Sequence, residues 1–124
     1  MNTLKYIDNK NCIKIKRTAP NLNPYISYLS QYSSQFNTAI RIYIFGKNFL
    51  PNGLTKVDFG NIQNINIKFI NPSIIYFELY NFAFPGVYNI IVKNQLLISA
   101  KNTTANSVNG LVLKSNIVEY TILE

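Results

Sequence analysis

Residues 39–45 read Ala-Ile-Arg-Ile-Tyr-Ile-Phe. Ile40, Ile42 and Ile44 alternate with Arg41, Tyr43 and Phe45, which is a period-2 strand with one face in a core. Working outward, residues 73–80 repeat the pattern, with Ile75, Phe77 and Leu79 on one side and Tyr76, Glu78 and Tyr80 on the other. Residues 87–93 place Tyr88, Ile90 and Val92 in phase, and residues 62–70 do so less strictly with Ile65, Ile67 and Phe69. Shorter extended runs occupy 25–29, 56–59, 95–99, 111–113 and 116–123. Turn signals separate them at Pro51-Asn52-Gly53, Gly60-Asn61, Asn71-Pro72 and Phe84-Pro85-Gly86. Residues 30–38 and 100–110 are polar and read as loops, with Asn109-Gly110 suited to a tight hairpin turn. No stretch carries apolar residues at helical spacing for three turns. The sequence therefore predicts an all-β sandwich of seven or more short strands.

A chain of 124 residues supplies one core and not two. The sandwich is expected over 24–124. Residues 1–23 form an N-terminal extension that reads as a short hairpin or as an arm ordering only against a partner.

Several stretches, in order, carry a resemblance. Pro24-Tyr25-Ile26 opens the domain. A strand, glycine and Asn-Phe turn follow in Ile40-Arg41-Ile42-Tyr43-Ile44-Phe45-Gly46-Lys47-Asn48-Phe49. Val57-Asp58-Phe59-Gly60 is a short strand ending in Phe-Gly. Gly86-Val87-Tyr88-Asn89-Ile90-Ile91-Val92-Lys93-Asn94 is a Gly-x-Tyr strand ending in Asn, and Ser115-Asn116 with Tyr120 closes the set. Together these resemble the IPT/TIG branch of immunoglobulin-like folds, found in Rel-type transcription factors and cell-surface receptors. The resemblance implies an immunoglobulin-like sandwich, and a sheet that serves as a dimer face in several Rel-type factors. It says nothing of 4–23, and the 94–115 stretch is longer than the family's usual final hairpin. On physical grounds Gly46 and Gly60 are expected to end strands at sharp turns. Phe49 and Phe59 are expected to cap the core, and Tyr88 to bury its ring with its hydroxyl at an edge.

Chemistry is scarce. The chain has no His and one cysteine, Cys12, so it lacks the commonest general base and any internal disulfide or cysteine metal cluster. Asp8, Asp58, Glu78, Glu119 and Glu124 are each isolated in sequence, so neither an acid/base pair nor a calcium site is indicated. No phosphate-cradling glycine loop precedes a helix. No enzyme is expected, and no catalytic, cofactor-binding or metal-ligating residue is assigned. There is no apolar segment of membrane-spanning length and no visible secretory signal, which predicts an intracellular or virion location.

Binding is the expected role. In immunoglobulin-like topology the strands at 39–45 and 73–80 are sheet neighbours, which sets Arg41, Tyr43 and Phe45 beside Tyr76, Glu78 and Tyr80. Tyr25 joins them from the first strand, and Arg41 and Glu78 form a cross-strand pair. Tyr and Arg on one exposed face are typical interface composition. A protein partner, or a second copy of the chain, is expected there, unless 30–38 or the N-terminal arm folds over it. Twelve Lys and Arg against five acids give +7, which raises nucleic acid as the alternative partner, through Lys14, Lys16, Arg17 and Lys47. The Ile-, Asn- and Tyr-rich composition is what an AT-biased genome produces. Such a genome also supplies lysine as the solubilising residue, and the composition suits a large DNA virus, where a virion component is the expected setting, or an AT-rich protist.

Overall fold

The computed structural model describes residues 22–80, 84–99 and 108–124; most of the expected arm, 1–21, lies outside them. The described chain is all strand and turn, in the order β1 (Tyr25–Leu29), β2 (Ser33–Gln35), β3 (Ala39–Lys47), β4 (Thr55–Phe59), β5 (Ile62–Asn66), β6 (Lys68–Asn71), β7 (Ile74–Tyr80), β8 (Gly86–Ser99), β9 (Val108–Lys114) and β10 (Val118–Leu123). They make a two-sheet sandwich. One sheet runs β1-β3-β7-β6; the other runs β2-β10-β8-β4-β5, with β9 also on β8.

The inward residues of the alternating strands fill the space between the sheets. Ile42 and Ile44 of β3 and Ile75, Phe77 and Leu79 of β7 meet Val57, Phe59, Ile90, Val92, Tyr120 and Ile122 from the facing sheet. Phe59 sits at the centre of the aromatic contacts, with ring centroids 6.2 Å from Phe77, 4.8 Å from Tyr88 and 5.8 Å from Tyr120. Burial of this kind contributes roughly 1.5–3 kcal/mol per large side chain.

The resemblance residues meet at the two ends of the sandwich. At one end Asn94 is fully buried; its amide donates to the carbonyls of Leu22 and Asn48, and its oxygen accepts from Thr55. Phe49 is buried in the core, as expected. At the other end Tyr88 stacks on Phe59, lies over Gly60 and donates its hydroxyl to the Phe84 carbonyl. Gly60 has φ +59°, so its turn suits glycine. Gly46 differs from expectation. It lies inside β3, and the left-handed turn falls on Asn48, φ +67°. Gly46 is needed for close approach, because a Cβ there would stand 1.8 Å from the Tyr25 carbonyl oxygen.

Three other expectations are corrected. The 30–38 stretch is not all loop: β2 pairs in parallel with β10, so the chain crosses to the second sheet before β3 returns it to the first. The 62–70 run is two strands in different sheets. Asn64, at φ +59°, breaks the alternation, and the chain switches sheets between Asn66 and Lys68. Asn109-Gly110 is not a turn but part of β9, paired with Ile98 and Leu97, so the long 94–115 stretch is in large part a β8–β9 hairpin.

Candidate functional site

The outward residues of β1, β3, β7 and β6 form one face. The β3–β7 register places Arg41 opposite Glu78 and Tyr43 opposite Tyr76, with Phe45 opposite Ile74. Four rings then follow one another: Tyr28 is stacked on Phe45 at 4.6 Å, Tyr43 lies 6.5 Å from Phe45, and Tyr76 lies 4.9 Å from Tyr43. The Arg41 guanidinium sits 4.6 Å from the Tyr76 ring centre and so continues the row as a cation–π contact.

The polar end of the face is a three-residue relay. Arg41 donates from Nε and Nη2 to Glu78 Oε2, at 3.0 and 2.7 Å, while the Tyr80 hydroxyl donates to Oε1 at 2.6 Å. Tyr80 first, and Arg41 second, hold the Glu78 carboxyl below its ordinary value; the same carboxylate raises Tyr80 and Arg41 above theirs. Lys68, opposite Tyr76 on β6, adds its charge to the effect on Glu78. The pair is exposed, so it orients the face more than it stabilises the fold.

Arg41, Tyr43, Phe45, Tyr76, Glu78 and Tyr80 are thus contiguous, as the strand patterns predict. Tyr25 is on the same sheet but at its far end, where it carries Lys47 5.7 Å from its ring centre. Tyr28 was missed, and belongs at the heart of the row. Strict alternation from Tyr25 turns Tyr28 inward; a bulge between Ile26 and Tyr28 resets the phase and turns it out. Tyr28 and Tyr80 are 53% and 60% exposed, while Tyr43, Phe45 and Tyr76 are half-buried against one another.

The 30–38 segment does not cover this face. Ser30 hydrogen-bonds along β3, its N–H donating to the Tyr43 carbonyl and its Oγ accepting from the Tyr43 N–H. By Tyr32 the chain has reached β10 on the opposite sheet. Of the residues assigned to nucleic acid, Lys14, Lys16 and Arg17 lie outside the described residues, and Lys47 lies on the aromatic sheet beside Tyr25.

The second sheet carries a buried ion pair on its outer side, not anticipated from sequence. Lys93 Nζ lies 3.0 Å from Asp58 Oδ1 and donates to Asn64 Oδ1 at 2.8 Å, and the Asn64 N–H donates to Asp58. A shallow cleft of about 460 Å³ beside it is lined by Asp58, Gln63, Tyr88, Asn89 and Lys114, among others. Asp58 faces the cleft already committed to Lys93. Among the described residues no three of His, Cys, Asp and Glu converge, and no helix is long and apolar enough to cross a membrane. Compared with known proteins, the chain matches no family model and no curated relative.

Proposed function

We propose that this chain is a non-catalytic interaction domain of IPT/TIG type that binds a protein partner, a second copy of itself included, through the outer face of the β1-β3-β7-β6 sheet. Its setting is structural or assembly work, such as that of a virion component. The observation that carries the reading is the unbroken row Tyr28–Phe45–Tyr43–Tyr76 ending in the Arg41–Glu78–Tyr80 relay. Tyr and Arg, together with Trp, are enriched at the energetic centres of interfaces. Rings already packed on one another, and a guanidinium already fixed by a carboxylate, have little freedom left to lose on binding. Two of the carboxylates among the described residues, Asp58 and Glu78, favour the same reading, since each is engaged by a cation.

The test is light scattering over a wide concentration range for the wild type and for Tyr43→Ala combined with Tyr76→Ala. Self-association that weakens at least tenfold in the double variant, with the fold intact by circular dichroism, supports the face. A wild type that stays monomeric and a variant that behaves identically would end self-assembly through this sheet.

A further inference from the structure

The sheet edges differ in how they are protected. β1, β5 and β6 belong to ladders broken by register shifts, and β2 is only three residues long. Bulged and short edges resist pairing with another chain. β9 has neither device. It runs seven residues without proline or register shift, and its one charge is Lys114 at the end nearest the body. Among the described residues it pairs with β8 alone, and Leu111 and Val112 are 40% and 47% exposed.

The direction of its free hydrogen-bonding groups follows from the ladder. The Ser115 N–H donates to Val92, and the Gln95 N–H donates to Leu54 on the β4 side. Alternation therefore points the even residues of β8 toward β9, which uses the peptide groups of Asn109, Leu111 and Leu113. Those of Gly110 and Val112 point away, to the open edge. Beyond Gln95 the hairpin also leaves the β4 side behind, since that strand's register stops at Thr55 and its neighbour Leu54 takes the Gln95 N–H. A two-stranded ribbon is marginal alone in water, and a third strand stabilises it.

We infer that β9 pairs antiparallel with β9 of a second copy about a two-fold axis at Leu111. In that register Gly110 and Val112 exchange hydrogen bonds across the axis. The two Leu111 side chains meet at the closer, non-hydrogen-bonded position. The choice of a second copy rests on charge and shape. Lys114 falls opposite Val108, so the two lysines stand at opposite ends of the ribbon and do not repel. Each sandwich body lies at the Lys114 end of its own strand, so antiparallel pairing sets the two bodies apart. The contact is isologous and closes as a dimer. It uses a different sheet from the aromatic face and stands or falls independently of it.

The experiment combines mass, exchange and cross-linking. Val112→Pro deletes an N–H at the open edge, where proline is tolerated, and leaves the β8–β9 bonds in place. It is expected to weaken the dimer at least tenfold by sedimentation while the circular dichroism spectrum is unchanged. In the wild type the Gly110 and Val112 amides are expected to gain exchange protection as concentration rises. In a Cys12→Ser background, Leu111→Cys is expected to give a disulfide-linked dimer under mild oxidation, and Asn109→Cys is not. A monomer at every concentration overturns the inference, as does a dimer indifferent to Val112→Pro. So does protection of both amides in the monomer, which would mean that another part of the chain covers the edge.

Discussion

Replacing Lys93 by Met tests whether the buried pair on the second sheet holds the fold together. The side chains of Lys93 and Asp58 are 9% and 12% exposed, with 3.0 Å between Nζ and Oδ1. Methionine keeps the apolar stem but removes the ammonium. The Asp58 carboxylate is then left with the Asn64 N–H as its remaining described hydrogen bond, and Asn64 Oδ1 with the Gln95 amide. Attraction at this distance and an effective dielectric near 20 is about 5 kcal/mol, most of it offset by the cost of desolvating both ions. The relevant quantity is the charge left behind. Removing one partner of a buried pair costs about 3 kcal/mol at the low end of the usual range, appropriate to a pair that water still reaches at its rim. For a domain of this size that is roughly 12 °C in Tm. Asp58→Asn strands the ammonium instead and is expected to cost a similar amount. The double variant Lys93→Met/Asp58→Asn is expected to recover at least half the loss, because no charge remains buried. Urea unfolding followed by circular dichroism gives all four corners of the cycle. Single variants within about 0.5 kcal/mol of wild type, or a double variant whose loss is the sum of the singles, would refute the reasoning.

Other residues carry expected outcomes of their own. Because Tyr80 is the largest cause of the lowered Glu78 carboxyl, Tyr80→Phe is expected to move it back toward the ordinary glutamate value in an NMR titration. The sign is that of a depressed acid: its contribution is present above the unfolded value and lost as pH falls through the folded one, so the variant should begin that loss at higher pH. The Tyr80 phenol itself should ionise above the usual 10 by ultraviolet absorbance, its share of stability fading as pH rises through that raised value. Gly46→Ala forces a Cβ to 1.8 Å from a backbone oxygen and 2.9 Å from the Phe49 ring, and is expected to detach β1 or prevent folding. Gly53→Ala meets no neighbour and is expected to cost only about 1 kcal/mol, for its φ of +79°. Asn94→Ala takes the amide donor from the carbonyls of Leu22 and Asn48 and the acceptor from the Thr55 hydroxyl proton, while Thr55 still accepts from the Leu50 N–H; chemical denaturation should read a loss of about 3 kcal/mol.

The aromatic face was legible because β3 and β7 keep strict alternation over their whole paired length, so knowing that they are neighbours fixes every cross-strand pair from Ala39–Tyr80 to Phe45–Ile74. Wherever a residue leaves the regular backbone, the reading fails. Tyr28 changed sides at a bulge, Asn64 broke the alternation inside β5, and the chain left for the other sheet between Asn66 and Lys68. Asn109-Gly110 has the chemistry of a hairpin turn, but the ladder with β8 takes those residues into a strand. The Asp58–Lys93 pair was hidden for a different reason. Its partners are 35 positions apart and diagonal across two strands, and no local pattern reports which carboxylate a distant lysine will reach.

The two proposed surfaces have consequences for assembly that neither has alone. The aromatic face belongs to one sheet, and the β9 edge belongs to the other, so one copy engages both without competition. A single isologous contact closes at the dimer, whereas two different ones on the same molecule propagate into an open chain of copies. Solution mass therefore separates the cases. Growth with concentration in the wild type, capped at the dimer by Tyr43→Ala/Tyr76→Ala and equally by Val112→Pro, requires both contacts. A wild type that stops at the dimer and responds to Val112→Pro alone leaves the aromatic face free. Its partner is then a different protein, which must meet a row of rings with apolar surface and the Arg41–Glu78–Tyr80 end with polar groups.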